Sequence, residues 1–147
     1  MSKSKFVDRR AGYLVKRVQV ALRSAMDRAL LSEDLTTPQY AVLSALQKAP
    51  GLSNAELARR SFVTPQTMIR IVASLEDKGL VTRVEHPSHG RILEASLTAA
   101  GEKTVNACHQ RVKRVEHRME GDLSETERRT LADLLERCAV ALGESDE

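Results

Sequence analysis

The sequence predicts a mainly α-helical chain with one small β-hairpin, in which a short helical region carrying the hairpin lies between long helices at both ends. Three observations carry this expectation. Apolar residues recur at three- and four-residue steps through most of the 147 positions. β-Branched alternation is confined to two short runs, LVTRV and ILEASL. Aromatics are 3% with no Trp, while charged residues are 29%, a mix that suits helices packed through Leu, Val and Ala rather than a β-sandwich.

The elements follow in chain order. Residues 9–31 place Val15, Val18, Leu22, Ala25 and Ala29 along one seam, a long amphipathic helix. Ser32 to Thr36 interrupt it. Thr37-Pro38 opens a mostly apolar second helix, with Thr37 expected to accept an orphan amide and Pro38 to lack one; Ala49-Pro50-Gly51 closes it. Ser53 with Glu56 forms a capping box, predicting a short helix from Asn54 to about Arg60 with Leu57 and Ala58 inward. After Ser61 to Val63 comes a second Thr-Pro start, TPQTMIRIVASL, ending near Lys78 with Gly79 as its cap. Here the apolar residues Met68, Ile71, Val72 and Leu75 form one stripe. The other side presents Gln66, Arg70 and Ala73, flanked by Thr67, Ile69 and Ser74.

Two short helices joined by a tight turn, the second with a polar face, is helix-turn-helix grammar. Leu80 to Val84 and Ile92 to Leu97 then pair across the polar tip EHPSHGR. A hairpin in that place is a wing. Thr98 caps a long helix with Val105, Cys108, Val112, Val115 and Met119 on one seam. A second capping box, Ser124 to Glu127, starts a last helix with Leu131, Leu135, Cys138 and Leu142 in line. The seams of the first and last helices exceed what one small winged region can cover, so the expected assembly is a homodimer; the alternative is an intramolecular bundle. The expected organisation of residues 1–147 is thus dimerisation helices over 9–31 and 99–142 and a winged helix-turn-helix region over 37–98.

Charge points the same way. The net charge is only +3, but residues 1–30 hold eight Lys or Arg against Asp8 and Asp27, whereas residues 102–147 hold eight against eleven acids. A basic N-terminal part can approach a polyanion. No apolar run reaches membrane-spanning length and no signal-peptide pattern leads the chain, so a cytoplasmic protein with no membrane partner is expected. Enzyme signatures are missing: no GxSxG, no phosphate-cradling Gly loop, no HExxH. No catalytic residue, cofactor or metal is expected. His109 and His117 read as surface residues beside the seam. Cys108 and Cys138 lack metal or disulfide spacing and read as small buried packing thiols.

The strings LTTPQYAVLSAL, LSNAELARRSFVTPQTMIRIVASLEDKGLV and GRILEASLTAAG, at these separations, resemble the MarR (multiple-antibiotic-resistance regulator) family of winged helix-turn-helix transcription factors over roughly residues 10 to 142. The resemblance implies a homodimer whose recognition helices enter successive major grooves of palindromic double-stranded DNA, commonly as a repressor relieved by a small effector. By position it makes Gln66, Thr67 and Arg70 base-contacting residues. The chemistry agrees: Arg can chelate guanine, Gln can pair with adenine, and the Thr67 or Ile69 methyls can touch thymine. Ser53 and Asn54 at a helix start, with Arg59, Arg60, Lys78 and Arg83, are backbone-phosphate candidates. Arg91 matches a wing arginine that family members insert into the minor groove. This chain departs from the pattern around it. His89 and Gly90 precede Arg91, and His86 stands where a further Asp is common, so the carboxylate brace is missing.

The resemblance further implies an effector pocket between the dimerisation helices and the winged region, which would draw on Tyr13, Arg17, Met26 and Tyr40, with Arg17 available to a small aromatic or anionic ligand. For Met26 and Tyr40 a plain core role is the simpler reading. A helical adaptor, binding a protein partner through its seams without reading DNA, is the alternative function.

Overall fold

The computed structural model describes residues 8–85 and 93–144, which fall into two compact units, one ending at Val115 and one starting at Glu116. In the first unit α1 (Ala11–Leu30) runs into a single 3-10 turn (Leu31–Glu33). Helices α2 (Thr37–Lys48), α3 (Asn54–Arg60) and α4 (Pro65–Asp77) follow, then strands β1 (Val81–Glu85) and β2 (Leu93–Leu97) and helix α5 (Ala99–Met119), which continues into the second unit. The second unit also holds α6 (Glu125–Ala141), closed at its start by the expected Ser124–Glu127 capping box.

Each helix start has a chemical cause, and one differs from the expectation. The cap of α2 is Thr36, not Thr37: the Thr36 hydroxyl accepts the Gln39 amide at 3.3 Å, and the Gln39 side chain accepts the Thr36 amide at 2.9 Å. Thr37, one position on, donates its hydroxyl and its amide to Asp27 of α1. That hydroxyl is the first cause holding the Asp27 carboxyl below its ordinary range, with the Thr37 amide and Arg23 lowering it further. Ser53 and Thr64 cap α3 and α4 as the sequence predicts.

The hairpin is antiparallel with Val81 opposite Leu97 and Arg83 opposite Ala95. A third segment joins it. Gly51 donates to the Ala95 carbonyl and Ala95 to that of Leu52, so the loop before α3 adds one rung to the sheet. The core forms where α2, α4, the hairpin and α5 meet, with Leu43, Leu46, Leu57, Met68, Val72, Leu75 and Val105 essentially free of solvent. At roughly 2 kcal/mol per fully buried side chain, Met68, Val72 and Leu75 outweigh any single surface contact in setting the roll of α4. Its polar face therefore points outward because its apolar stripe is fixed.

The seams are a mixed result. Val105, Cys108, Val112 and Val115 of α5 are buried, as is Ala25 of α1, but Val15 and Val18 of α1, Met119, Leu131 and Leu135 of α6, and Leu142 just after it are exposed in the single chain. Cys138 is exposed as well, against the expectation of a buried thiol. His109 is not a surface residue. Its Nδ1 lies 2.7 Å from the Tyr40 hydroxyl and its Nε2 2.7 Å from Gln47 Oε1, with the two rings edge-on. Since an amide oxygen only accepts, Nε2 carries the proton.

Cys108 does pack as expected. Burial first, and the nearby Glu33 carboxylate second, push its thiol from an ordinary 9.0 up to about 11, with Arg111 opposing. Cys108 should therefore resist a thiol reagent such as dithionitrobenzoate in the folded protein and react once urea unfolds it. Labelling of Cys108 in native buffer at the rate of a free thiol, read by peptide mass spectrometry, would contradict this.

Candidate nucleic-acid interface

The exposed face of α4 begins at its cap. The Thr64 hydroxyl accepts the Thr67 amide at 3.2 Å and donates to the Thr67 hydroxyl at 2.9 Å, which ties the Thr67 side chain to the cap. Gln66, Thr67, Ile69 and Arg70 are all exposed. Among the described residues the side chains of Gln66 and Arg70 enter no hydrogen bond or ion pair. This face offers an amide and a guanidinium fork, both free to pair, on a helix whose other side is locked in the core.

The mount is tied from behind. Gln39 of α2, having closed its own capping box through its oxygen, donates its side-chain NH2 to Ser74 of α4 at 3.0 Å. Ser74 therefore belongs to the buried edge rather than to the polar face, where the sequence alone puts it. At the other end of α4 the Gly79 carbonyl accepts the Thr98 hydroxyl at 2.7 Å and the Leu80 carbonyl accepts the Thr98 amide at 3.1 Å. The base of the hairpin and the start of α5 are thereby fixed to the end of α4.

The six phosphate candidates divide. Arg59 and Arg60, in the last turn of α3, are exposed and unpaired among the described residues. Lys78 and Arg83 are engaged inside the domain: Lys78 reaches the Asp34 carboxylate at 3.3 Å and also bonds the Asp34 carbonyl, while Arg83 Nε meets Glu76 at 2.6 Å. The Ser53 hydroxyl is committed to the Glu56 amide, and the Glu56 carboxylate occupies the Ser53 amide, so the start of α3 already holds an anion of its own. Asn54 beside it is half-buried. Arg91, His86 and His89 lie outside the described residues.

The four effector-pocket candidates are not brought together. Tyr13 and Arg17 lie on the open face of α1, in a shallow groove shared with Leu14, Val18 and Ala21, whereas Met26 and Tyr40 pack against the core. Tyr40 is held by His109 as described. No group of three metal-ligating side chains and no helix long and apolar enough to cross a membrane occurs among the described residues.

Comparison with known proteins fits this arrangement. Residues 33–92 match a family model described as MarR family. The HTH-type transcriptional repressor Rv2887 of Mycobacterium tuberculosis is 39% identical over 126 residues, covering 86% of this chain and 91% of that protein. A crystal structure of Rv2887 in complex with DNA superposes with a TM-score of 0.74 at 35% identity, covering 93% of this chain and 100% of the other. For Rv2887 with salicylic acid the TM-score is 0.73 at 38% identity, covering 89% and 97%. Ligand-free MarR of E. coli gives 0.78 at 26% identity, covering 90% and 98%. A capped helix with a free polar face, followed by a β-hairpin and matched along most of the length of such relatives, places the chain in the MarR family of transcriptional regulators.

Proposed function

We propose that this chain is a homodimeric, sequence-specific DNA-binding repressor, non-enzymatic and cytoplasmic, whose recognition helix is α4 and whose grip on DNA is relieved by a small aromatic acid. The observation that carries the reading is the free Gln66–Arg70 face on a helix immobilised by its buried stripe and by Gln39. In this proposal Gln66, Thr67 and Arg70 meet base edges, while Arg59 and Arg60 meet phosphates; the start of α3 at Ser53 and Asn54, already occupied by the Glu56 carboxylate, plays a lesser part. Arg91 enters the minor groove from the wing. Lys78 and Arg83 play a lesser part, because each already shares its charge with a carboxylate, Lys78 with Asp34 at the surface and Arg83 with the half-buried Glu76.

Dimerisation is supported by the apolar side chains left exposed in one chain at Val15, Val18 and Val20 of α1 and at Leu131, Leu134, Leu135 and Leu142. Release by an aromatic acid is supported by the relative solved with salicylic acid and with p-aminosalicylic acid. In a dimer the open face of α1 with Tyr13 and Arg17 is the place to seek the ligand's carboxylate partner.

The test is selection of bound sequences from random duplex DNA at moderate salt. The expected result is an enriched inverted repeat with half-sites about 10 bp apart, one turn of the duplex. Salicylate at millimolar concentration should weaken the complex. No enriched sequence would favour the adaptor reading, and a mass of one chain by light scattering at micromolar concentration would remove the dimer.

A further inference from the structure

Four helix ends among the described residues close in the same way. The amide of one residue reaches back three positions and the next amide reaches back five: Asp34 to Leu31 with Leu35 to Leu30, Phe62 to Arg59 with Val63 to Ala58, Gly79 to Glu76 with Leu80 to Leu75, and Gly143 to Val140 with Glu144 to Ala139. The first residue of each pair must turn left-handed, and the φ angles are 54°, 55°, 72° and 100°. Glycine meets no penalty there, and a short polar Asp tolerates it. Asp34 is also held by Lys78.

Phe62 has neither advantage. Strain at such a position is ordinarily balanced by packing of the side chain, yet Phe62 is 87% exposed and the packing is done by its neighbour Val63. The chain therefore keeps a large apolar ring in water, on a backbone that glycine would relieve, with no compensating contact among the described residues. A local rule broken without an internal gain marks a functional position. Its place is informative: Phe62 lies in the turn between α3 and α4, with the exposed Arg59 and Arg60 before it and the Thr64 cap, Gln66 and Thr67 after it. It is continuous with the proposed DNA-facing surface.

We infer that Phe62 is a DNA-contacting residue, its ring packing on apolar carbon of the operator at the wall of the major groove beside the recognition helix. The inference rests on the DNA-binding reading above. The carbon is that of a thymine methyl or of a deoxyribose, and the contact differs from that of Arg59 or Arg60 because it releases no counterion.

The test compares Phe62→Gly and Phe62→Tyr with the wild-type dimer on the selected operator, by fluorescence anisotropy at several salt concentrations, alongside thermal unfolding and light scattering. Phe62→Gly should raise Tm, leave the mass and the salt slope unchanged, and weaken operator binding about tenfold, the equivalent of 1.4 kcal/mol. Phe62→Tyr, which keeps the ring, should bind as wild type. If deoxyuridine in place of thymidine abolishes the difference between wild type and Phe62→Gly, the ring meets a thymine methyl; if the difference persists, it meets the sugar. Wild-type affinity in Phe62→Gly would overturn the inference while leaving the DNA-binding reading intact, as would a changed mass, which would assign the ring to a protein contact. Failure of the wild-type chain to bind any selected duplex would overturn both.

Discussion

Gly101→Ala is expected to be the most damaging single-methyl substitution in the winged unit, costing about 3 kcal/mol or more of unfolding free energy. A Cβ on Gly101 would lie 2.0 Å from the Leu80 carbonyl oxygen and 3.0 Å from its carbon. Both are backbone atoms. The oxygen cannot retreat freely, because it accepts the Thr98 amide, and the Thr98 hydroxyl is bonded on one side to the Gly79 carbonyl and on the other to the Gly101 amide. The sign is diagnostic. Within a helix, Gly→Ala ordinarily stabilises by roughly 0.5–1 kcal/mol, so propensity and close approach predict opposite outcomes and the clash should win. Gly12→Ala in α1, where a Cβ meets nothing within 4 Å, is the control and should be neutral or slightly stabilising. Urea unfolding of both variants would check this; a Gly101→Ala midpoint at or above wild type would show that α5 can slide away from Leu80 without loss.

That close approach shows why some of the molecule could be read in the sequence and some could not. The glycine is visible in the string LTAAG and the partner in GLV, but only the fold lays one on the other. The two TPQ tripeptides make the same point. At residues 64–66 Thr64 is the cap and Gln66 stands exposed at the second helical position, as the Thr-Pro rule suggests. At residues 37–39 the cap has slipped one residue back to Thr36, because Thr36 and Gln39 complete a reciprocal box, and Gln39 is buried and tied to α4. Identical letters thus give an exposed glutamine in one helix and an anchoring glutamine in the other. The choice is made by a single residue upstream.

Periodicity and capping located each of the six α-helices, though not the 3-10 turn at Leu31–Glu33, because each α-helix has an apolar stripe, a cap or both. It could not say which charges remain free. Lys78 and Arg83 look like Arg59 and Arg60 in the sequence, yet their carboxylate partners Asp34 and Glu76 are 44 and seven residues away. Nor could it separate His109 from His117, since the Tyr40 and Gln47 that hold His109 lie on another helix. The turning residue Phe62 was legible only as part of a connector; its left-handed backbone is what makes an exposed ring noteworthy.

Arg70→Ala is expected to give the largest loss of specific binding, on the order of 1–3 kcal/mol on the preferred operator, or about tenfold to a hundredfold. The guanidinium is exposed on the helix whose roll is fixed by Met68, Val72 and Leu75, and no carboxylate among the described residues competes for it, so its five donors are free to pair with a base edge. If it chelates a guanine, the loss should fall on one position of each half-site, and the variant should tolerate any base there. Arg70→Lys should recover little, because a single ammonium cannot present two parallel hydrogen bonds. Arg59→Ala gives the contrast. As a free cation on the last turn of α3 it should act on phosphate, weakening all sequences alike and lowering the salt slope by about one for each phosphate that is no longer neutralised. Both variants should be titrated against a panel of single-base operator changes at two salt concentrations. If Arg70→Ala weakened every sequence equally while Arg59→Ala altered preference at one base pair, base reading would belong to the end of α3 rather than to the face of α4.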